Sequence, residues 1–193
     1  HQPLTRMYGV DFSGAADAGK HIWIAEGTDT DGCLDNTNCR SASDYLNAFP
    51  SRDVTFLAMV EFIAGQHNAA FGFDFPFELP RAIAVEESWS AFVAAFPSHY
   101  PSLADFDVSC HTASGGKEWK RLCDVETRAP FSPYNRRVAS QTYYGIRDLI
   151  HPLLADGLAS VPPIHFAVPQ MPWLLEVCPA GALKDSKLYK PPY

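Results

Sequence analysis

Three carboxylates stand alone inside apolar segments that have the composition of buried strands. Asp11 lies in segment 8–12, Asp74 in segment 71–77 and Glu176 in segment 173–177. Burying such a group costs on the order of several kcal/mol unless a metal ion, a cation or a hydrogen-bond donor meets it. If the three strands share one sheet, the carboxylates converge into the oxygen-lined kind of site that Mg²⁺ or Mn²⁺ prefers.

Each carboxylate also has an ordinary structural explanation. An Asp or Glu can cap the end of a strand or pair with an arginine and take no part in chemistry. This explanation is weaker for all three together, because they are far apart in the sequence and share the same apolar setting. We therefore expect Asp11, Asp74 and Glu176 to be metal ligands.

The charge of the chain is acidic overall but uneven. The formal net charge is −7 at pH 7, which argues against sequence-independent coating of nucleic acid, because that affinity comes from neutralised phosphates. Residues 117–147 nevertheless contain seven basic and three acidic side chains. A basic segment in an acidic protein is where an anionic substrate would be steered, although a solvated helix face explains the same pattern.

The composition bounds the class of protein. With 47% hydrophobic and 13% aromatic residues in a chain of 193, one well-buried core is expected. No apolar run has the length of a membrane span, and the amino terminus lacks the pattern of a secretion signal. The five cysteines show no metal-finger spacing, so we expect reduced thiols and a cytoplasmic protein, although Cys33 and Cys39 are close enough in the sequence to form a disulfide. The sequence indicates no obligate protein partner.

The hydrophobic pattern predicts an α/β fold. The first strand is followed by a glycine-bearing hairpin and a returning strand over 21–25. Helical spacing occurs over 54–64, where Gly65 is the expected stop, and over 89–101. Further expectations are helices over 121–128 and 141–154, an exposed loop over 109–116, and strands over 69–75, 164–168 and 173–177. No repeat or long linker divides the chain, so we expect a single domain over 1–193 with a helical insertion over 81–160.

Five short motifs are distributed along most of the chain. They are Gly9-Val10-Asp11-Phe12-Ser13-Gly14, Gly72-Phe73-Asp74-Phe75-Pro76-Phe77, the segment 121–128 with Asp124 inside it, Glu176-Val177-Cys178-Pro179-Ala180, and Tyr189-Lys190. Together they resemble the domain-of-unknown-function family 429, whose members are regarded as predicted nucleases with a ribonuclease H-like fold. The resemblance implies a ribonuclease H-like mixed sheet flanked by helices.

The resemblance also implies a reaction. The first, fourth and last strands would supply Asp11, Asp74 and Glu176 as catalytic residues that hold two Mg²⁺ or Mn²⁺ ions. Such ions activate a water and stabilise the leaving oxygen during phosphodiester hydrolysis, so the implied partner is a nucleic acid or nucleotide substrate. Asp11 would bridge the two ions.

Basic side chains of the same motifs are implied to bind the phosphate. Arg121, Arg128 and Lys190 are the candidates, and bidentate geometry favours the arginines. Asp124 is expected to lock those arginines instead of acting on the substrate.

The chain departs from the family pattern after its last strand. Ribonuclease H-like nucleases commonly take a final acidic ligand from a helix beyond the fifth strand, and the sequence predicts no such helix here. Asp185 is the acidic residue beyond Glu176. Its lysine neighbours favour a solvated ion pair.

Two other functions fit the same motifs. Sugar kinases and ATPases of the actin-like architecture also begin with a strand, an Asp and a hairpin whose backbone amides approach phosphates, here Ser13 and Gly14. Asp11 would then organise Mg²⁺ and Asp74 would act as the base. No glycine-rich adenine-site motif follows in the second half, so this function ranks below the nuclease. The third alternative is a ribonuclease H-like binding protein without catalysis.

Overall fold

A computed structural model describes residues 4–30 and 33–185. The described strands are β1 (Arg6–Asp11), β2 (Trp23–Thr30), β3 (Cys33–Ser41), β4 (Ala69–Phe73) and β5 (Trp173–Glu176). They form one sheet in the order β3-β2-β1-β4-β5. β4 is parallel to both β1 and β5, whereas β2 is antiparallel to both of its neighbours. The expected mixed α/β sheet is therefore confirmed.

Helices flank this sheet. Those in the described residues are α1 (Ala18–His21), α2 (Ala42–Leu46), α3 (Arg52–Ala64), α4 (Trp89–His99), α5 (Leu103–Ala113), α6 (Leu122–Glu126), α7 (Ala139–Gly145), α8 (His151–Ala155) and α9 (Pro179–Asp185). A π-helical segment, Ile146–Ile150, joins α7 to α8. In the part of the chain that the structure describes, every helix is too short or too polar to span a bilayer.

One face of the sheet carries the core. Along β1, Tyr8 and Val10 are buried while Gly9 and Asp11 are exposed, because successive strand residues point to opposite faces. On β4, Phe71 lies 4.5 Å from Tyr8, ring centroid to centroid, in a stacked pair. Side chains of α3, α4 and the π-helical segment complete this cluster. The opposite face, with Gly9 and Asp11, stays accessible at its centre.

The segment predicted as a helical insertion contains α4 to α8, between β4 and β5. The aromatic stripe of α4 faces the core, since Phe92, Val93 and Phe96 are buried. The helix predicted over 89–101 ends at His99, and Pro97 lies inside it. The buried stripe offsets the single backbone hydrogen bond that an internal proline removes.

Two predicted elements around this insertion differ in the structure. The loop expected over 109–116 is largely α5, whose start is capped by Ser102, which accepts a hydrogen bond from the Asp105 N–H and donates one to its carboxylate. This is a capping motif that the sequence already contains. The strand expected over 164–168 is absent, and Phe166 is 96% exposed. The available sheet edge is taken by β5, which pairs with β4.

The connection from β1 to β2 is not the predicted hairpin. A loop and α1 are interposed, and the loop packs tightly against the start of α7. A Cβ atom on Gly14 would lie 2.5 Å from the backbone oxygen of Ser140. Because real Cβ atoms essentially never approach this closely, Gly14 allows the two segments to touch.

The end of the described chain also differs from the prediction. We expected no helix after the last strand, yet α9 (Pro179–Asp185) follows β5. Pro179 opens this helix, a position where the missing N–H of proline costs nothing. The Asp185 side chain and residue Lys190 lie outside what the structure describes, so their expected roles stay predictions.

The Gly14 contact predicts a stability difference between two glycine substitutions. Gly14→Ala should lower the free energy of unfolding by about 1–3 kcal/mol, because the new methyl group collides with backbone. Gly9→Ala is the matched control, since a Cβ atom added to Gly9 would meet no described atom within 4 Å. Urea denaturation measures both. Equal stability of the two variants would contradict the Gly14 contact.

Candidate functional site

Asp11 and Asp74 meet at one edge of the sheet. Asp11 is the last residue of β1, and Asp74 directly follows the parallel strand β4. The carboxyl ends of adjacent parallel strands are where α/β folds place ligands. The Phe12 backbone N–H donates a 2.8 Å hydrogen bond to Oδ1 of Asp74. This bond ties the two strand ends together and orients Asp74, while Asp11 is exposed to solvent.

Asp74 is electrostatically unusual. Burial raises its pKa to about 6, the negative charge and hydrogen bonding of the adjacent Asp11 act in the same direction, and the Phe12 N–H opposes them. Like charges this close disfavour joint ionisation. The pair therefore has the electrostatics of a site that gains from a cation.

Glu176 is held by an arginine. As the last residue of β5, it accepts 2.8 and 2.5 Å hydrogen bonds from the two terminal nitrogens of Arg121. A third donor is the Phe77 N–H, 2.9 Å from Oε2. Glu176 is thus oriented by protein donors, with its side chain 30% exposed.

Arg121 is occupied on both sides. Its Nε and Nη2 donate to Asp124 at 3.0 and 2.6 Å, and both residues are buried. Burial alone lowers the pKa of Arg121, but the hydrogen bonds and charges of Glu176 and Asp124 outweigh burial and raise it. The expectation that Asp124 locks an arginine holds for Arg121. Arg121 was also expected to bind a phosphate. Its guanidinium is already bound to two carboxylates, so the structure gives this role no support.

The three predicted metal ligands are not equivalent. Within the described residues, the ligand atoms of Cys123, Asp124 and Glu176 all lie within 4.8 Å of one another. Those of Asp11, Asp74 and Glu176 do not form such a group. In the group with Cys123, both carboxylates already accept hydrogen bonds from the guanidinium of Arg121, so an ion there would have to compete with a buried salt bridge. The pair of Asp11 and Asp74 is the less satisfied of the two clusters.

A broad groove of about 1470 Å³ runs along the open face and the carboxyl edge of the sheet. Its described lining is mainly apolar, and its charged members are Asp11, Asp74, Glu78, Arg121, Asp124 and Glu176. The basic segment 117–147 was expected to steer an anionic substrate. Of its basic residues only Arg121 lines the groove in the described structure, and Arg147 is paired with Asp148. The groove itself is acidic.

Ser13, Gly14 and Arg128, which were also predicted to bind substrate, lie outside this lining. Ser13 accepts a hydrogen bond from the Ala15 N–H, 3.3 Å away, and Gly14 is buried against Ser140. Arg128 is exposed just beyond α6, with a φ of 54°. The loop of Ser13 and Gly14 therefore serves local packing, and these positions stay unsupported as phosphate contacts.

Several groove residues were missed by sequence reasoning. The Gln141 side-chain amide donates to the Phe12 carbonyl and so holds the backbone between Asp11 and Ser13. Glu78 lies beside Arg121, and burial raises its pKa. Trp23, the first residue of β2, pairs in register with Asp11. Only Trp23 carried a readable signal, because it opens the strand that returns alongside Asp11.

Asp74→Asn should change the pH dependence of stability. Because the folded-state pKa of about 6 exceeds the usual carboxyl value of about 4, the wild type loses free energy of unfolding as pH rises from about 4 to about 6. Asparagine keeps the acceptor for Phe12 and removes the charge. We expect the variant to be more stable by roughly 2 kcal/mol at pH 7.5 in chelator, with the difference vanishing at pH 4.

Urea denaturation over this pH range provides the measurement. Asp35→Asn, at an exposed carboxylate of β3, is the control and should track the wild type. A pH-independent offset for Asp74→Asn would contradict the electrostatic origin of the effect.

Arg121→Met should destabilise the fold by about 3 kcal/mol, because Asp124 would remain buried without its cation. Arg136→Met, at an exposed arginine of the same basic segment, should stay within about 0.5 kcal/mol of the wild type. Thermal and urea unfolding measure both. If Arg121→Met unfolded with the same free energy as the wild type, the buried ion pair would be dispensable for stability.

Comparison of the chain with models of known protein families, with curated proteins and with solved structures found no match. The resemblance to the domain-of-unknown-function family 429 therefore stays a prediction. The functional conclusion has to come from the geometry of the groove and its carboxylates.

Proposed function

We propose that this protein is a metal-dependent phosphodiester hydrolase in which Asp11 and Asp74 bind Mg²⁺ or Mn²⁺. The observation that carries the proposal is the pair of like charges at the ends of two adjacent parallel strands, open to a groove. Holding two carboxylates together is unfavourable without a counter-charge. A divalent ion with oxygen ligands supplies that charge.

The residues present fit such an ion. Asp11 is exposed, and Asp74 uses Oδ1 for the Phe12 N–H, which leaves its second oxygen for coordination. The charged groove lining has five carboxylates and one arginine. A phosphate could not approach this surface favourably unless cations first reduced its negative charge.

Each residue has a distinct part in this proposal. When bound, a divalent ion lowers the pKa of a coordinated water and stabilises charge on the leaving oxygen. Asp74 is oriented by Phe12, and Gln141 holds that backbone in place. Glu176 was the expected third ligand, but its carboxylate and those of Asp11 and Asp74 do not all lie within 4.8 Å of one another. Because Arg121 and Phe77 already donate to Glu176, its remaining capacity is limited, and Arg121 acts as its positioning residue.

The ribonuclease H-like arrangement is part of the proposal. Asp11, Asp74 and Glu176 lie at the ends of β1, β4 and β5, which are the first, fourth and last of the described strands in chain order, and this supports the expectation drawn from the family resemblance. The kinase alternative is less well supported. Gly14 packs against Ser140 and therefore does not support the phosphate cradle that this alternative requires.

Metal titration tests the proposal. The wild type should bind Mn²⁺, and Asp11→Asn should lose at least about 10-fold in affinity because a direct ligand is removed. Asp35→Asn, which removes a strand carboxylate outside the groove lining, should bind as the wild type does. Isothermal calorimetry gives the affinities, and thermal melts with and without Mn²⁺ report the linked stabilisation.

Hydrolysis is then assayed with bis(p-nitrophenyl) phosphate, a phosphodiester, and with p-nitrophenyl phosphate, a monoester. The proposal predicts Mn²⁺-dependent cleavage of the diester and a loss of at least about 100-fold in Asp11→Asn. Metal binding without cleavage of either ester would favour a non-catalytic binding protein. Absence of Mn²⁺ binding by a folded wild type would overturn the metal site itself.

A further inference from the structure

An exposed tryptophan stands beside the carboxylate pair. Trp23 is the direct cross-strand partner of Asp11, and directly opposed strand residues project from the same face with Cβ atoms about 5 Å apart. Its side chain is 48% exposed and lines the same groove as Asp11 and Asp74. A large aromatic surface is therefore available within about one residue spacing of the proposed metal ligands.

The floor next to this tryptophan is flat. In register, Ala25 of β2, Gly9 of β1 and Gly72 of β4 form a row across the centre of the sheet. The three residues line the groove and present at most one methyl group each. A planar ligand can therefore lie directly against the backbone at Gly9 and Ala25, whereas Gly72 lies under the Val177 side chain.

Gly9 is not explained by packing within the described structure. A Cβ atom there would meet no described atom within 4 Å, although glycine weakens the interior of a strand. Gly72 is different, because its Cβ would lie 3.1 Å from the Val177 side chain. A strand glycine with open space above it is typical of a site that a ligand approaches closely.

We propose that this floor binds the base of a nucleotide, with the ring stacked on Trp23 and the phosphate directed to Asp11 and Asp74. This inference deepens the proposed function and rests on it. Stacking on an aromatic side chain is how proteins bind unpaired bases without sequence preference. The acidic lining makes phosphate binding depend on the divalent ion, whereas the stacking contact does not. The ligand is an unpaired nucleotide unit, from a single strand or a free nucleotide.

Binding of labelled oligomers tests the inference without relying on activity. The probes are a mixed-sequence single-stranded DNA, an abasic oligomer of the same length and a nucleoside monophosphate, each with Ca²⁺ or Mn²⁺ and followed by fluorescence anisotropy or competition. Trp23→Ala should weaken the base-bearing strand by about 5- to 150-fold and leave the abasic oligomer unchanged. Trp119→Ala is the control, because Trp119 is 37% exposed and outside the groove lining.

Gly9→Val is the second variant. The open space above Gly9 and the strand preference of valine should keep the fold, as checked by circular dichroism and urea denaturation. The added side chain should fill the floor and reduce binding of the base-bearing strand. If the single-stranded oligomer binds more tightly than the monophosphate, the ligand is a nucleotide within a single strand. If the two bind equally, the ligand is a free nucleotide.

The outcomes separate this inference from the metal site. Equal binding of abasic and base-bearing oligomers, wild-type affinity in both variants, or no measurable binding would each overturn the base-stacking floor. Mn²⁺ titration of the same variants reports independently on the metal site, because neither substitution removes a carboxylate. Base-dependent binding in a protein that does not bind Mn²⁺ would support the floor and overturn the proposed hydrolase.

Discussion

The placement of Asp11 beside the partly buried Asp74 is the constraint on which this end of the sheet depends. The parallel pairing of β1 with β4 delivers both carboxylates to one edge, and the Phe12 N–H fixes Asp74 there. The buried aromatic face beneath, including the stacked Tyr8 and Phe71, makes that register costly to change. The fold thus maintains a pair that its own charges oppose, which is typical of a functional site.

Arg121 has the opposite electrostatic character. Where Asp11 and Asp74 lack a described groove cation, Glu176 and Asp124 share one, and this shared guanidinium connects α6 to the end of β5. The groove therefore contains a satisfied acidic cluster beside an unsatisfied one. This contrast is the reason we propose a divalent ion at Asp11 and Asp74 and not at the neighbouring group of Cys123, Asp124 and Glu176.

Local patterns in the sequence predicted much of this fold. They could not predict contacts between residues that are far apart in the sequence. The helical spacing before Gly65 and the isolated carboxylates Asp11 and Asp74 were readable because they depend on neighbouring residues. The contact between Arg121 and Glu176 joins residues 55 positions apart, and no local pattern encodes it. The absent strand over 164–168 shows the same limit, since an apolar run becomes a strand only where a sheet edge is free. By contrast, the cap of α5 by Ser102 was present in the sequence and overlooked.

The position of a bound ion is the most direct test of the proposed site. Anomalous diffraction from crystals of the protein soaked in Mn²⁺ would locate it without any assumption about substrate. We expect a peak coordinated by both Asp11 and Asp74, lost in Asp11→Asn crystals. A peak confined to Cys123, Asp124 and Glu176, or none beside well-ordered Asp11 and Asp74 side chains, would contradict a metal centre at the ends of β1 and β4.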